Sequence, residues 1–194
     1  CTVCNSGKYS SENAAYCTTV AAGSKASNDK TVAEMCPSNE FSTGASDTCT
    51  PCADGEHSKP GSSSCISTPP GHYYNGTADT PCPAGKFSES GAACEDCSSA
   101  GSYSAEGAAY CSTNAAGTKV NLARSGIEEC TKNTYSTGAT DTCTPCADGE
   151  HSVPGSSSCI ATPPGHYYDD ATDLPCPAGK FSESGAACED CSSA

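Results

Sequence analysis

The chain has very little material for a conventional core. Its 194 residues include five Val, three Ile, two Leu and three Phe, with one Met and no Trp. Those 13 Leu, Ile, Val and Phe positions are far too few to bury the apolar area that offsets the entropy of ordering a chain. A globular domain with an apolar interior is therefore excluded. No apolar run approaches the ~20 residues that a membrane helix needs. Positive charge is also scarce: nine Lys and Arg stand against 23 Asp and Glu, for a net charge of −14. Such a surface repels phosphate backbones, which argues against nucleic-acid binding. The sequence begins directly at Cys1 without a signal-peptide pattern, as expected of a mature piece or an excerpt from a longer chain.

Cysteine is abundant. There are 18, a density of about 9% that belongs to disulfide scaffolds. The count is even, as an oxidised framework requires. The expectation is an extracellular or cell-surface protein held by staples, in preference to a cytosolic metal-rich one.

The sequence repeats with a shift of 94 residues. Cys36–Cys97 matches Cys130–Cys191 at 50 of 62 positions. This suggests two cysteine-rich repeats, 1–97 and 98–194, each of several hairpin units. Inside them a shorter pattern recurs: a small residue, any residue, an aromatic or His, then usually Ser. Its ring slot holds Tyr9, Phe41, His57, Tyr73, Phe87, Tyr103, Tyr135, His151, Tyr167 and Phe181. AAGSK and AAGTK read as two further units that lost the ring. Each unit predicts a very short strand, a Gly-containing polar turn and a return to Cys. The expected fold class is small and disulfide-rich, mostly β-hairpin and coil. It forms an elongated tandem-repeat rod with little helix and no large hydrophobic core. A turn of helix is expected at Ala26–Met35 and Val120–Glu129.

Sequential pairing of neighbouring cysteines joins Cys4 to Cys17, Cys36 to Cys49, Cys52 to Cys65, Cys82 to Cys94, Cys97 to Cys111, Cys130 to Cys143, Cys146 to Cys159 and Cys176 to Cys188. Every loop is then of similar size, and each closure is worth about 3 kcal/mol in the chain-entropy model. An interlaced arrangement is the alternative. Cys1 and Cys191 are left over and are expected to pair outside the chain.

CPAGKFSESGAACEDC at Cys82–Cys97 and Cys176–Cys191, with CTPCADGEHS and PGSSSC, resembles the ephrin-receptor-like cysteine-rich repeat, akin to the modules of TNF and growth-factor receptors. Similar arrays occur in large surface proteins of algae and other protists, including the mastigonemes, the hair-like appendages of flagella. The resemblance implies a disulfide-stapled extracellular module. Modules of this kind serve receptors, adhesion proteins and surface coats alike.

Each chemical motif in the chain competes with a plainer role. CxxC pairs recur with the repeat, and no core exists to build a zinc or redox site, so structural disulfides are preferred. His57 and His151 sit in the ring slot and read as packing rings. His72 and His166 lie beside Tyr73 and Tyr167. No Ser/His/Asp grouping has a fold to orient it, so no enzyme and no resident cofactor are expected. Asp169, Asp170 and Asp173 have the oxygens that Ca²⁺ takes, but their counterpart in the first copy has lost most of the charge, and a solvated loop is favoured. Asn75-Gly76-Thr77 is the one N-x-[ST] acceptor and reads as a glycan site. Weaker glycan candidates are Ser62, Ser63, Ser64, Pro69, Pro70, Ser156, Ser157, Ser158, Pro163 and Pro164. Tyr73, Tyr74, Tyr167 and Tyr168 are candidates for lateral contacts, through protein or sugar.

These features point to a structural extracellular repeat protein, a building element of a glycosylated fibre, surface coat or flagellar-hair-like appendage that self-associates. The alternative is a ligand-binding or adhesion ectodomain of a cell-surface receptor.

Overall fold

The computed structural model describes residues 3–170, 172–183 and 185–191. Among them the backbone forms twelve short hairpins and no helix. The strands are β1 (Lys8–Tyr9), β2 (Thr18–Thr19), β3 (Ser24–Ala26), β4 (Ala33–Met35), β5 (Glu40–Phe41), β6 (Thr50–Pro51), β7 (Glu56–His57), β8 (Ile66–Ser67), β9 (His72–Tyr74), β10 (Asp79–Pro81), β11 (Lys86–Phe87) and β12 (Glu95–Asp96). They continue as β13 (Ser102–Tyr103), β14 (Ser112–Thr113), β15 (Thr118–Val120), β16 (Ile127–Glu129), β17 (Thr134–Tyr135), β18 (Thr144–Pro145), β19 (Glu150–His151), β20 (Ile160–Ala161), β21 (His166–Tyr168), β22 (Asp173–Pro175), β23 (Lys180–Phe181) and β24 (Glu189–Asp190). Each odd-numbered strand pairs with the even-numbered strand after it.

A left-handed turn residue sets the period. Gly7, Gly23, Asn39, Gly55, Gly71 and Gly85 precede the first six hairpins, and Gly101, Gly117, Asn133, Gly149, Gly165 and Gly179 precede the rest, all with φ between 59° and 87°. They are 16 residues apart except at one 14-residue step per copy, Gly71 to Gly85 and Gly165 to Gly179. Each turn carbonyl accepts the N–H that closes its hairpin, as Gly7 does from Val20, Gly23 from Cys36 and Gly55 from Thr68, at 2.8–2.9 Å. AAGSK and AAGTK thus open complete hairpins, with Lys25 and Lys119 in the ring slot.

The helical turns expected at Ala26–Met35 and Val120–Glu129 are absent. Those segments are the hairpins β3–β4 and β15–β16. Polar side chains hold the loops in non-helical form, as such residues do when they compete for backbone donors. Ser27 Oγ accepts from the Thr31 and Val32 N–H groups, and Asn121 Oδ1 accepts from Ser125 N–H. Lys30 and Arg124 take positive φ, 61° and 52°, which no helix interior accommodates.

The chain divides by contacts into two compact units. One comprises Cys1–Cys82, Phe87–Glu95 and Gly107–Ala109, the other Pro83–Lys86, Asp96–Glu106 and Tyr110–Ala194. Within each unit, hairpins stack through turn-to-strand hydrogen bonds. In the first, Gly23, Asn39 and Gly71 N–H donate to Ser42, Ser58 and Ser88 carbonyls. In the second, Gly117, Asn133 and Gly165 donate to Ser136, Ser152 and Ser182.

The interior of each stack is thin and built from small residues. Cys36, Cys82, Cys97 and Cys130 are at most 1% exposed, and Val20, Ala26 and Val120 at most 5%. The serine after the ring slot is also buried, at Ser42, Ser58, Ser88, Ser104, Ser136, Ser152 and Ser182. A buried hydroxyl needs a partner, and three of these find it in the preceding hairpin. Ser58, Ser104 and Ser152 Oγ donate to the Glu40, Lys86 and Thr134 carbonyls at 2.7–2.8 Å. Ser88 and Ser182, which follow the 14-residue step, have no such partner.

Eight disulfides each span one hairpin: Cys4 to Cys17, Cys36 to Cys49, Cys52 to Cys65, Cys82 to Cys94, Cys97 to Cys111, Cys130 to Cys143, Cys146 to Cys159 and Cys176 to Cys188. The Cα atoms stand 5.7–5.8 Å apart, between cysteines separated by 12–14 positions in the sequence. Cys191 is exposed and carries no disulfide. Cys1 lies outside the described residues.

Candidate functional site

The informative places are the hairpins without a staple: β3–β4, β9–β10, β15–β16 and β21–β22. The positions corresponding to a half-cystine pair hold Val20 with Ala33, Thr68 with Asp79, Asn114 with Ile127, and Thr162 with Asp173. In β9–β10 the missing staple is replaced by a histidine from the preceding hairpin. His57 Nδ1 is 3.0 Å from Thr68 Oγ1 and 3.6 Å from Asp79 Oδ1. Its ring stacks on Tyr74 with centroids 3.9 Å apart and planes 6° from parallel. His151 repeats this with Thr162 at 3.0 Å, Asp173 at 3.7 Å and Tyr168 at 3.8 Å.

A hydroxyl, an imidazole and a carboxylate invite comparison with a catalytic triad. In a triad the carboxylate and the nucleophile address opposite ring nitrogens. In this cluster both oxygens address Nδ1, so no proton relay is assembled. The cluster docks one hairpin on the next.

The same hairpins leave a gap. At most turns the loop two hairpins further on packs against the turn glycine so closely that a Cβ has no room. A Cβ on Gly7 would lie 2.0 Å from the Ala45 carbonyl oxygen, and one on Gly23 or Gly117 would lie 2.0 Å from that of Gly61 or Gly155. Counting the same distance from Asn39 and Asn133 reaches the four-residue loops 75–78 and 169–172, half the length of most other hairpin loops. Asn39 and Asn133 are exposed, and Asn tolerates the left-handed conformation better than other residues with a Cβ. Asn stands at the two turns that the short loops face, whereas Gly stands at the turns a loop packs against and also at Gly165 and Gly179, where an added Cβ would meet nothing within 4 Å among the described residues.

The gap is an open groove. In the first unit it has a volume of about 300 Å³ and is lined by Asn39, Gly55, Glu56, Thr68, Tyr73, Tyr74 and the loop Gly91, Ala92 and Ala93. Its counterpart in the second unit, about 190 Å³, is lined by Asn133, Glu150, His151, Thr162, Tyr168, Asp170, Gly185 and Ala186, among others. Tyr73, Tyr74, Tyr167 and Tyr168 are all half-buried. The most exposed tyrosines are Tyr16 and Tyr110 in the AAYC segments, at 86% and 63%, which the repeat pattern did not single out.

Asn75 sits on the exposed tip of β9–β10. Its Oδ1 accepts from Thr77 and Ala78 N–H at 2.9 and 3.1 Å, and its Nδ2 donates to Thr80 Oγ1 at 2.8 Å. Ser63, Ser64, Ser157 and Ser158 are exposed, whereas Ser62 and Ser156 are half-buried and donate to the Lys59 and Val153 carbonyls. Pro69, Pro70, Pro163 and Pro164 are exposed in the turns before β9 and β21. His72 and His166 Nδ1 lie 3.2 Å from the Pro70 and Pro164 carbonyls.

Asp169 accepts from Thr172 N–H, Asp170 pairs with Lys132 at 3.1 Å and Asp173 faces His151. The three carboxylates therefore have separate partners. Among the described residues no cluster of three His, Cys, Asp or Glu side chains is placed to hold a metal ion.

A further carboxylate ties three hairpins together. Asp47 accepts from Gly7 N–H at 2.8 Å and pairs with Lys30. The Lys30 hydrogen bond, followed by those from Gly7 and Ser6, lowers its pKa to about 2. In the second unit Asp141 accepts from Gly101 N–H at 2.9 Å and pairs with Arg124 at 2.6 Å.

No protein-family model matches the chain, and no curated protein matches it. The architecture is that of a cysteine-rich repeat built from small disulfide-closed hairpins. No described helix is long and apolar enough to cross a membrane.

Proposed function

We propose that this chain is a structural element of an extracellular glycosylated fibre, coat or flagellar-hair-like appendage, in which tandem hairpins resist extension and chains self-associate laterally. The observation that carries this reading is the regular stacking of hairpins at 16-residue steps, with one 14-residue step per copy, in two near-identical copies. Within each unit most neighbouring hairpins bond through the backbone, and eight hairpins carry their own covalent closure. Such an array has quasi-one-dimensional stability. Surfaces repeated at fixed spacing also suit heterologous contacts that need not close into a ring. The ephrin-receptor-like resemblance fits this reading without fixing a role, and the dense disulfides fit an extracellular setting.

The half-buried Tyr73, Tyr74, Tyr167 and Tyr168 are the proposed lateral contacts, and Tyr73, Tyr74 and Tyr168 line the grooves. The same recurrent grooves favour a second reading, an ectodomain that binds a ligand once per repeat. Electron microscopy of the native material separates the two. Regular filaments with an axial repeat are expected. Isolated particles at all concentrations would overturn the structural reading in favour of the ectodomain.

A further inference from the structure

We propose that Asn75 carries an N-linked glycan whose inner sugars lie in the groove before Tyr73 and Tyr74, at the place a longer hairpin loop fills elsewhere in the stack. The proposal rests on the extracellular reading above, because N-glycosylation belongs to the secretory route.

The amide chemistry accommodates the modification. The Asn75 carboxamide has two N–H groups, and one is given to Thr80 Oγ1. In the reaction Nδ2 loses a proton and bonds to the anomeric carbon of a diphosphate-activated oligosaccharide. The anomeric C–O bond breaks, and the diphosphate carrier leaves with the electron pair. Nothing is oxidised or reduced. The remaining N–H still reaches Thr80, and Oδ1 keeps both backbone donors. The side chain is thus held by three hydrogen bonds, one of them through the attachment atom Nδ2, which has a second proton to lose.

The two copies provide a comparison within one chain. Of the 12 differences between Cys36–Cys97 and Cys130–Cys191, six fall on this loop or against it. Asn75, Gly76, Thr77, Ala78 and Thr80 become Asp169, Asp170, Ala171, Thr172 and Leu174, and Ser38 becomes Lys132. The changes come in partnered sets. Where Asn75 is lost, its hydrogen-bond acceptor Thr80 is lost too. Where Gly76 gains a carboxylate, Ser38 gains the ammonium that pairs with it across 3.1 Å.

The second copy spans the gap with that ion pair and has no acceptor asparagine. The first has the acceptor, a larger groove, and a Gly76 around which a Cβ would meet nothing within 4 Å. Tyr rings offer a flat apolar face with a polar tip, and Glu56 and Asn39 flank them with hydrogen-bonding groups. That combination suits a pyranose ring, which has an apolar C–H face and a hydroxyl rim.

The test uses the whole chain secreted from a eukaryotic host. Peptide mass analysis is expected to find the disulfides formed and Asn75 glycosylated. A chain retained with free thiols would overturn the extracellular reading and this proposal together. A secreted, oxidised chain with bare Asn75 would overturn this proposal alone. The seat is read by amide hydrogen exchange in Gly91–Ala93 and at Asn39, comparing the glycosylated chain with the Thr77→Ala variant, which keeps Asn75 but loses the acceptor motif. Several-fold slower exchange with the glycan is expected there, with no change at Asn133 or Gly185–Ala187. Equal exchange in the two forms would show a glycan that projects into solvent and would overturn the seat. Thr80→Leu, the second copy's residue, should leave occupancy intact, because the transfer acts on the extended chain, yet should abolish the added protection.

Discussion

Eight hairpins are closed by a disulfide and four are not, and the four fall at every third place along the chain. The unstapled hairpins have three-residue strands where the stapled ones have two. Two of them, β3–β4 and β15–β16, replace the ring-slot aromatic with lysines that pair across the strands, Lys25 with Glu34 at 3.5 Å and Lys119 with Glu128 at 3.2 Å. The other two use the His, Thr, Asp and Tyr cluster. A staple acts mainly on the unfolded chain by shortening its loops, whereas the substitutes act in the folded state and need their neighbours in place. Stapled hairpins can therefore persist when a neighbour opens. The unstapled ones depend on the stack.

Removing a staple is the largest test of that difference. Cys36→Ser with Cys49→Ser should cost about 2–5 kcal/mol, as removal of a native disulfide does in small domains. Urea unfolding followed by circular dichroism reads the loss. Hydrogen exchange should show protection falling in β3–β4 as well as β5–β6, because Gly23 N–H bonds to the Ser42 carbonyl. A loss confined to β5–β6 would show that the unstapled hairpin stands alone. The reverse experiment installs a staple where none exists. Val20→Cys with Ala33→Cys recreates the spacing of the other pairs and should add about 3 kcal/mol in the loop-entropy model. Thiol titration verifies closure, and the shift in urea midpoint reads the gain.

The next effect in size separates packed turns from open ones. Gly23→Ala forces a Cβ to within 2.0 Å of the Gly61 carbonyl oxygen at φ 82°, and the left-handed strain alone costs about 1–3 kcal/mol. Asn39→Ala meets no such loop and should cost clearly less. Equal losses in thermal melts of the two variants would refute loop packing as the reason that Asn is accepted at the third turn and not at the second.

The cysteine framework was the most legible part of the sequence, because a half-cystine needs a partner at fixed separation and the loops are nearly uniform. The hairpin period was legible only where Cys or a ring marked it. Val20-Ala-Ala-Gly23 and Asn114-Ala-Ala-Gly117 mark the same step with neither. What they share with the other turns is a positive φ and a closing N–H, and a backbone conformation leaves only Gly or Asn as its trace. That is why Ala26–Met35 read as helical. The groove was illegible for a related reason: it arises from a loop too short to reach a turn two hairpins away. Tyr73 and Tyr74 were visible as a pair, but the stacking of Tyr74 on His57 depends on a 16-residue register that period-2 alternation cannot reveal.

The histidine cluster gives a smaller effect. His57→Phe keeps a ring on Tyr74 and removes the bond to Thr68. The loss should be about 0.5–1.5 kcal/mol, the net worth of one hydrogen bond. Because Thr68 is 3% exposed, its hydroxyl would be left without the imidazole. Thr68→Val in the His57→Phe background should then recover part of the stability, since removing both partners is cheaper than removing one. Absence of recovery in the double-mutant cycle would mean that the stack, not the bond, replaces the staple.

The smallest expected effect concerns the clasp on the first unstapled hairpin. Asp47 holds Lys30 in the β3–β4 loop and the Gly7 N–H of the first turn, and its pKa falls from 3.8 to about 2. A carboxylate with a depressed folded pKa stabilises the fold above its unfolded pKa, and the contribution disappears as the pH falls through the folded value. The clasp is therefore intact at neutral pH and lost between about pH 4 and pH 2. Asp47 is exposed enough for solvent and salt to screen it, so the change should be modest and should shrink further in high salt. Asp47→Asn keeps an acceptor for Gly7 but cannot titrate. Its stability curve should run flatter than the parent's across that window, and hydrogen exchange should locate the difference in the β3–β4 loop. The stapled neighbour β5–β6, which carries Asp47 but is closed by Cys36 and Cys49, should keep its protection at pH 2. If β5–β6 lost protection first, local closure by disulfide would not be what distinguishes the two kinds of hairpin.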